Sequence, residues 1–370
     1  MTTIEWTDEV WNPTTGCDRT SPGCDGCYAL TMARRLKGMG QAKYQTDGDP
    51  RTSGPGFGIA THPDALTEPL RWRKSRRVFV NSMSDLFHAH VPVEFITDVW
   101  RTMQATPQHT YQILTKRAAR LPRVLDRVHE ALGLTEPLPN VWLGVSVESQ
   151  KYADLRIPAL LETPAAVRFL SCEPLLGPID LSPWLRPAPG CGRVDPEDGT
   201  CTHPDAMTPE CHRWADCPAR TRYEDWGGPD WVIVGGESGP KARAMHPKWA
   251  RQIRDACDVA GVPFFFKQWG EWGPADFIVR VCDPDVGWQG TDEELAAAKA
   301  DSEARGATHA HTGGWHEVNG EREYWLHEIG HKPWSLERVG LPDGTAAIRR
   351  WGKKRAGREL DGRLHEAFPA

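Results

Sequence analysis

Short apolar runs that alternate with helical segments constrain the fold of this chain more than any other feature of its sequence. Segments of helical composition lie between these runs, for example at 93–105, 116–132 and 246–260. Continuous apolar runs of five or six residues are typical of strands that are buried on both faces. The alternation therefore predicts parallel βα units. The six clearest runs, all rich in β-branched or aromatic residues, occupy residues 78–82, 111–115, 141–146, 167–171, 231–235 and 263–267.

Polar or small residues follow each of these runs at its carboxyl end. In a (β/α) barrel the carboxyl ends of the strands share one rim, where ligands bind. The sequence therefore predicts an α/β fold, a partial or full (β/α) barrel formed by residues 1–186 and 231–275. An open doubly wound sheet is the alternative, because it produces the same alternation.

Three further segments fall outside the alternation. Residues 276–330 are acidic and predict a loop-rich appendage, and residues 331–370 form a basic carboxyl-terminal tail. Residues 187–230 form a Cys/His-rich insertion with so few apolar side chains that burial does not order it. A structural zinc ion would order the insertion, with unligated thiols, disulfides or a second iron–sulfur cluster as alternatives. The candidate ligands are Cys191, Cys201, Cys211 and Cys217.

A separate group of three cysteines lies near the amino terminus, where Cys17, Cys24 and Cys27 fall within eleven residues. Glycine and proline residues between them let the backbone wrap closely around a bound group. A structural zinc site takes four ligands, whereas a four-iron cluster held by three thiolates keeps one iron open for another ligand. The group therefore favours an iron–sulfur cluster over a zinc ion completed by a distant residue and over plain reduced thiols.

Several motifs resemble those of known families. The cysteine loop, with Tyr28 directly after its last cysteine, resembles that of the radical S-adenosylmethionine (SAM) superfamily, whose members fold as partial or complete βα barrels. Six residues separate Cys17 from Cys24, where the usual superfamily loop has three. Most of residues 4–275 resembles the phage Gp37/Gp68 proteins more closely. The motifs that carry this resemblance are Trp11-Asn-Pro, Gly23-Cys-Asp-Gly-Cys-Tyr-Ala29, Asn81-Ser-Met-Ser-Asp-Leu-Phe-His88, Leu114-Thr-Lys-Arg117, Val234-Gly-Gly-Glu-Ser-Gly239 and Phe265-Phe-Lys-Gln-Trp-Gly270.

The resemblance to the superfamily implies a cofactor and a reaction. Cys17, Cys24 and Cys27 would hold a [4Fe-4S] cluster, and SAM would bind to its open iron. An electron donor such as flavodoxin or ferredoxin would then drive reductive cleavage of SAM to a 5′-deoxyadenosyl radical, which abstracts hydrogen from a substrate. The predicted function is therefore that of a radical SAM-like iron–sulfur enzyme. The alternatives are a non-catalytic, zinc-bearing nucleic-acid-binding protein and an iron–sulfur redox or sensor protein.

Polar side chains at the strand ends match the groups that SAM presents. Carboxylates and hydroxyls suit its ammonium and ribose, and a lysine or arginine suits its carboxylate. Gly235, Gly236 and Glu237 resemble the Gly-Gly-Glu element of the superfamily, although they follow a later strand than that element does. The other candidates for binding the cofactor are Ser82, Ser84, Asp85, Lys116, Arg117 and Glu148.

The charge and hydropathy of the sequence indicate which partners the protein has and in which compartment it is found. Residues 71–77 place five basic side chains around Trp72, and the tail repeats this theme at 351–355. Basic residues interleaved with aromatic ones suit a nucleotide or nucleic-acid substrate, and a solvated polar face is the alternative. No apolar run approaches the ~20 residues of a membrane-spanning helix, and the amino terminus lacks the features of a secretory signal. We therefore expect a cytoplasmic protein without a membrane partner.

Overall fold

The computed structural model describes residues 4–185, 228–274, 311–318, 321–328, 347–350 and 352–369. The chain divides into two compact units. The first comprises Met1–Gly235, Arg251–Lys267 and Arg358–Ala370, and the second comprises Gly236–Ala250 and Gln268–Gly357. The insertion that carries Cys191, Cys201, Cys211 and Cys217 lies outside the described residues, so its metal ligation stays a prediction.

One seven-stranded sheet organises the first unit. Its strands are hydrogen-bonded in their order along the chain, and the register of each pair from the first to the sixth strand is parallel. A doubly wound sheet would reverse its strand order near the middle, and this sheet does not. The predicted α/β partial barrel is therefore confirmed. The strands are β1 (Glu9–Trp11), β2 (Arg77–Val80), β3 (Thr110–Thr115), β4 (Val141–Ser146), β5 (Val167–Cys172), β6 (Trp231–Gly235) and β7 (Phe264–Gln268).

Helices connect these strands in the manner of βα units. The predicted helix at 93–105 has those bounds, but the helix predicted from residue 116 begins at Leu121. A single 3-10 turn at Ala118–Arg120 precedes it, and Pro122 suits its first turn because proline there loses no hydrogen bond. The helices are α1 (Tyr28–Gly38), α2 (Val93–Ala105), α3 (Leu121–Leu132), α4 (Gln150–Leu161) and α5 (Pro247–Ala260), with a short helix at Lys353–Ala356.

Shorter elements complete the first unit. Thr14–Thr15 pairs antiparallel with Ala60–Thr61 close to the cysteine loop. Single 3-10 turns lie at Pro22–Cys24, Ala42–Tyr44, Pro63–Thr67 and Pro69–Arg71. The turn at Pro22–Cys24 falls inside the cysteine loop itself, so the loop has a defined local conformation before any cofactor is considered.

An aromatic core fills the inner side of the sheet. Trp6, Phe79, Phe169, Trp231 and Phe265 are all buried in one cluster, with the rings of Trp6 and Phe79 only 4.8 Å apart. Each such ring contributes a large apolar area to the core. Polar residues follow the strands at their carboxyl ends, which is where ligands bind in a (β/α) barrel.

The end of the chain packs against the last strand of this sheet. Phe265 and Glu366 form an antiparallel bridge, and the indole of Trp231 donates a hydrogen bond to the Ala367 carbonyl at 2.7 Å. The Phe368 ring lies 5.0 Å from that of Trp231. The predicted basic tail thus supplies an apolar residue to the core and covers an exposed strand edge. Its strands Glu359–Leu360 and Arg363–Leu364 flank Asp361 and Gly362, whose φ angles of 54° and 72° suit a tight hairpin turn.

A four-stranded sheet characterises the second unit. Its strands are ordered Trp272–Pro274, Ala347–Arg350, Glu321–Glu328 and His311–Val318. We expected a loop-rich segment at 276–330, whereas two eight-residue strands form an antiparallel pair there. The sequence signal that was missed is the dipeptide Asn319-Gly320, because Asn-Gly favours a two-residue hairpin connection; these two residues lie outside the described structure.

Candidate functional site

The cysteine loop is attached to the carboxyl end of β2. The Gly16 amide donates to the Met83 carbonyl at 3.0 Å, and the Ser84 hydroxyl donates to the Gly16 carbonyl at 2.7 Å. Gly16 has a φ of 86°, and a Cβ there would come within 2.8 Å of the Ile59 amide nitrogen. Only glycine satisfies both requirements without strain. Cys17 is therefore held directly beside the strand end.

The other end of the loop returns to the same strand. Tyr28, the first residue of α1, donates its hydroxyl hydrogen to the Ser82 carbonyl at 2.6 Å. The Ser82 hydroxyl lies 3.3 Å from the side-chain nitrogen of Asn12. Ser82 and Ser84 were predicted to bind a cofactor, and the structure shows hydrogen bonds from both to the cysteine loop or its flanks. Their part in cofactor binding stays a prediction.

The three amino-terminal thiols are free and partly buried. Cys17 and Cys27 pack against one apolar cluster that includes Ala33, Phe57 and Met83. Among the described residues, no group of three or more His, Cys, Asp or Glu side chains is arranged to hold a metal ion. In a cubane cluster each thiolate binds a different iron, so its ligands stand further apart than those of one ion. Three thiols on one loop match the donor set of such a cluster.

Burial and neighbouring charges shift the pKa values of the three thiols in different directions. Burial, reinforced by the negative charge of Asp85, raises the pKa of Cys17 to about 12, and burial also raises the pKa of Cys27. Burial alone would raise the pKa of Cys24 too, but the positive charge of Lys116 and hydrogen bonds from the loop outweigh it. The net pKa of Cys24 is therefore lowered, and this thiol is the readiest of the three to ionise.

Two cationic side chains at the end of β3 face the thiols. The positive charge of Lys116 acts on both Cys24 and Cys27, and Lys116 forms no ion pair with any described carboxylate. Arg117 donates to the Asp18 carbonyl at 3.1 Å, and its buried Nε has no hydrogen-bond partner in the described part of the chain. Both cations complement the negative charge that thiolates and an iron–sulfur cluster carry.

The carboxylate of Asp85 is engaged within the protein. Its Oδ1 accepts from the Thr115 hydroxyl at 2.7 Å, and its Oδ2 accepts from the Lys116 amide at 3.1 Å. Arg117 Nε lies 3.9 Å from Oδ2. Asp85 therefore joins the end of β2 to the end of β3 and helps to position Lys116 and Arg117.

Glu148 lies just beyond β4 and is almost fully buried. Its Oε2 accepts from Arg156 of α4 at 2.7 Å, while its Oε1 has no hydrogen-bond partner among the described groups. A Cβ on Gly23 would approach the Glu148 carboxyl to 3.2 Å, which places the cysteine loop directly against this side chain. Sequence reasoning identified Glu148 but not Arg156, because a mid-helix arginine looks like an ordinary solvated residue.

A second acid–base pair lies at the ends of β5 and β7. Lys267 Nζ lies 2.8 Å from both carboxylate oxygens of Glu173, and both side chains are less than one-fifth exposed. A Cβ on Gly235 would come within 3.1 Å of the Glu173 carboxyl carbon, so the end of β6 adjoins this pair. Glu173 and Lys267 were not among the predicted site residues. Their positions at the carboxyl ends of strands are the signal that could have identified them as candidate site residues.

The Gly-Gly-Glu element spans both units. Gly235 ends β6 in the first unit, whereas Gly236 and Glu237 belong to the second. Arg243 donates to Glu237 from its amide and Nε at 2.8 Å and from Nη2 at 2.6 Å. The carboxylate of Glu237 is thus bound by a cation of its own unit, and its assignment to a cofactor stays a prediction.

The first basic segment lies at the opposite end of the strands from the thiols. Residues 71–77 lead into β2 at its amino end. Arg77 forms an ion pair with Asp8 at 2.9 Å, and Arg76 forms one with Glu9. Two of the five basic side chains are therefore neutralised locally, which weakens this segment as an interface for phosphates.

Fold and site together define a partial (β/α) barrel protein with a three-cysteine loop at its carboxyl rim. Residues 1–369 match a family described as a protein of unknown function (DUF5131), and the chain belongs to this family. No curated protein matches the chain. The likeness to the phage Gp37/Gp68 proteins stays a prediction, because the family description does not name them.

Solved structures of spore photoproduct lyase are similar to this chain. A cysteine-to-serine variant has 12% identity and a TM-score of 0.33, covering 80% of this chain and 72% of the lyase chain. The lyase complexed with dinucleoside spore photoproduct also has 12% identity, with a TM-score of 0.31, covering 79% and 71%. Across the described segments, no helix has the length and apolar character to cross a membrane.

Proposed function

We propose that this chain is a radical SAM-like iron–sulfur enzyme. The observation that carries the proposal is the placement of Cys17, Cys24 and Cys27 at the carboxyl rim of a parallel barrel, beside Lys116 and Arg117. The loop is fixed at both ends to β2, so the thiols are held in place before a cluster binds. Bound there, a [4Fe-4S] cluster and SAM would supply reductive cleavage of SAM and hydrogen abstraction from a substrate.

The residues of the rim would bind and orient the cofactor and its substrate. Lys116 has no described carboxylate partner and would hold the SAM carboxylate. Arg117, whose buried Nε makes no hydrogen bond in the described structure, would donate to the cluster sulfurs or to their thiolates. The pair of Glu173 and Lys267, at the ends of β5 and β7, would contact polar groups of the substrate.

A nucleotide or a nucleic-acid base is the substrate class we propose for this site. The support is local: Arg73 and Lys74 are exposed basic side chains without an ion-pair partner in the described structure. They lie at the amino end of the strands, so they would contact backbone phosphates at a distance from a base bound at the rim.

Metal content tests the cluster. Protein purified and reconstituted without oxygen should bind iron and sulfide in equal amounts and show the broad visible absorption of an iron–sulfur cluster. Cys24→Ala should lose this absorption. Cys257→Ala is the matched control, because Cys257 is a fully buried thiol in α5 and should leave it unchanged. Zinc without sulfide at the amino-terminal loop would refute the proposal and favour the zinc-bearing alternative.

A second assay separates an enzyme from a sensor. With SAM and dithionite, the loaded protein should release 5′-deoxyadenosine and methionine, and Cys24→Ala should not. A protein that retains its cluster but releases no 5′-deoxyadenosine would be a redox or sensor protein instead.

A further inference from the structure

Helix α1 exposes an unusual apolar stripe next to the cysteine loop. The structure has seven exposed large apolar side chains among its described residues, and three of them are Tyr28, Met32 and Met39. They are exposed by 57%, 40% and 61%. With Arg35, their spacing of four, three and four residues places Tyr28, Met32 and Arg35 on one face of the helix, and Met39, the C-cap residue that follows α1, continues this face. Large apolar side chains that are exposed together on one helix face mark an interaction site.

The charge of the same helix defines what would bind there. Helix α1 carries Arg34, Arg35 and Lys37 and no acidic residue, although the whole chain has a net charge of -6. Lys37 pairs with Asp47, whereas Arg34 and Arg35 are exposed and form no ion pair within the described structure. The face thus combines apolar side chains with the unpaired positive charge of Arg35, next to that of Arg34, and an acidic protein surface would complement it.

The position of the helix relative to the thiols identifies the partner. Tyr28 directly follows Cys27, and the stripe extends about 16 Å from it to Met39. We propose that this face of α1 docks an acidic one-electron carrier protein, which rests on the function proposed above. One electron would pass from the carrier to the cluster, so that the carrier is oxidised and the cluster reduced, with no bond formed or broken.

A binding experiment tests the surface without reference to turnover. Isothermal titration calorimetry would measure the affinity of an acidic flavodoxin for the loaded protein. Arg34→Glu combined with Arg35→Glu should weaken binding about tenfold at low salt and much less at high salt. Arg123→Glu is the matched control, because Arg123 is an exposed and unpaired arginine on α3, and it should leave the affinity within about twofold.

A second pair of variants tests the apolar part of the face. Met39 and Leu155 are equally exposed, at 61% each, and Leu155 lies on a different helix, α4. Met39→Glu should weaken flavodoxin binding about fivefold or more, whereas Leu155→Glu should not change it. Equal affinities for all variants, or no binding of flavodoxin by the wild-type protein, would overturn the proposal. The proposal would also be overturned if Arg34→Glu combined with Arg35→Glu abolished the binding of single-stranded DNA and left flavodoxin binding intact.

Chemical reduction separates this inference from the proposed function. With dithionite as reductant, the α1 variants should release 5′-deoxyadenosine at the wild-type rate, and with reduced flavodoxin they should be slower. If the wild-type protein releases none with dithionite, the proposed function fails. If release with flavodoxin is unaffected by the α1 variants, the docking surface fails and the function stands.

Discussion

The buried ion pair between Glu148 and Arg156 offers a sharp test of how the rim is built. Their side chains are only 1% and 6% exposed, and Arg156 Nη1 donates to Glu148 Oε2 and to the Ser146 carbonyl, both at 2.7 Å. Replacing Arg156 by methionine keeps much of the apolar volume but removes the charge. A buried carboxylate would then face its own desolvation cost without compensation.

The magnitude follows from the burial of both partners. Removing one member of a buried pair costs about 3–5 kcal/mol, whereas removing one neutral hydrogen bond costs about 0.5–1.5 kcal/mol. We therefore expect Arg156→Met to lower the free energy of unfolding by about 3–5 kcal/mol. Adding Glu148→Gln removes the stranded charge and should restore about half of this loss, because an amide is cheaper to bury than a carboxylate.

Urea unfolding of the cofactor-free protein, followed by tryptophan fluorescence, would measure these differences. Arg127→Met is the matched control, because Arg127 pairs with Glu94 at 3.3 Å while both side chains are more than half exposed. It should change the free energy of unfolding by less than about 1 kcal/mol. If Arg156→Met costs no more than Arg127→Met, or if Glu148→Gln gives no recovery, the reasoning about an uncompensated buried charge is refuted.

Three further perturbations follow from local geometry. Gly144→Ala should destabilise the protein by about 1–3 kcal/mol, because a Cβ would lie 2.6 Å from Cδ2 of the Phe169 ring; urea unfolding should also show partial rescue by Phe169→Leu. Gly16→Ala should abolish iron binding after anaerobic reconstitution while the far-ultraviolet circular dichroism stays native, because the positive φ and close packing at Gly16 place the cysteine loop. Arg251, with Arg254, lowers the pKa of Asp361 to about 2, so this carboxylate stabilises the fold above the unfolded pKa of about 3.9. Asp361→Asn should therefore lower the free energy of unfolding by about 0.5–1 kcal/mol at pH 7, as measured by thermal unfolding. The wild-type protein should lose this advantage as the pH falls from about 4 to about 2. A stability difference between the two proteins that persists at pH 2 would contradict the prediction.

The strands and helices of the barrel were predictable because each is set by local pattern. The runs at 141–146 and 231–235 are strands with those bounds, since a strand buried on both faces needs a continuous apolar run. The run at 263–267 was displaced by one residue, to Phe264–Gln268. Strand β1 was not among the predicted runs, because only three residues of it are paired and they include Glu9.

The cysteine loop was predictable as a unit for a similar reason. Its thiols lie close together in sequence, and the glycine and proline residues that let the loop turn lie between them. The residues that contact the loop could be predicted only as candidates at the ends of the strands. Which of those ends would donate to the loop, such as Ser84 to Gly16, depends on a contact across 68 residues.

By itself, the sequence determined most of the element types in the barrel, their alternation and a three-thiol loop, because burial and backbone chemistry act over a few neighbouring residues. Only the tertiary structure decided that Glu173 pairs with Lys267 across 94 residues, and that Phe368 from the end of the chain enters the core. Strand register and the face that each side chain occupies select these partners. A local pattern shows that a charge or a ring needs a partner, but the packed fold alone determines which residue provides it.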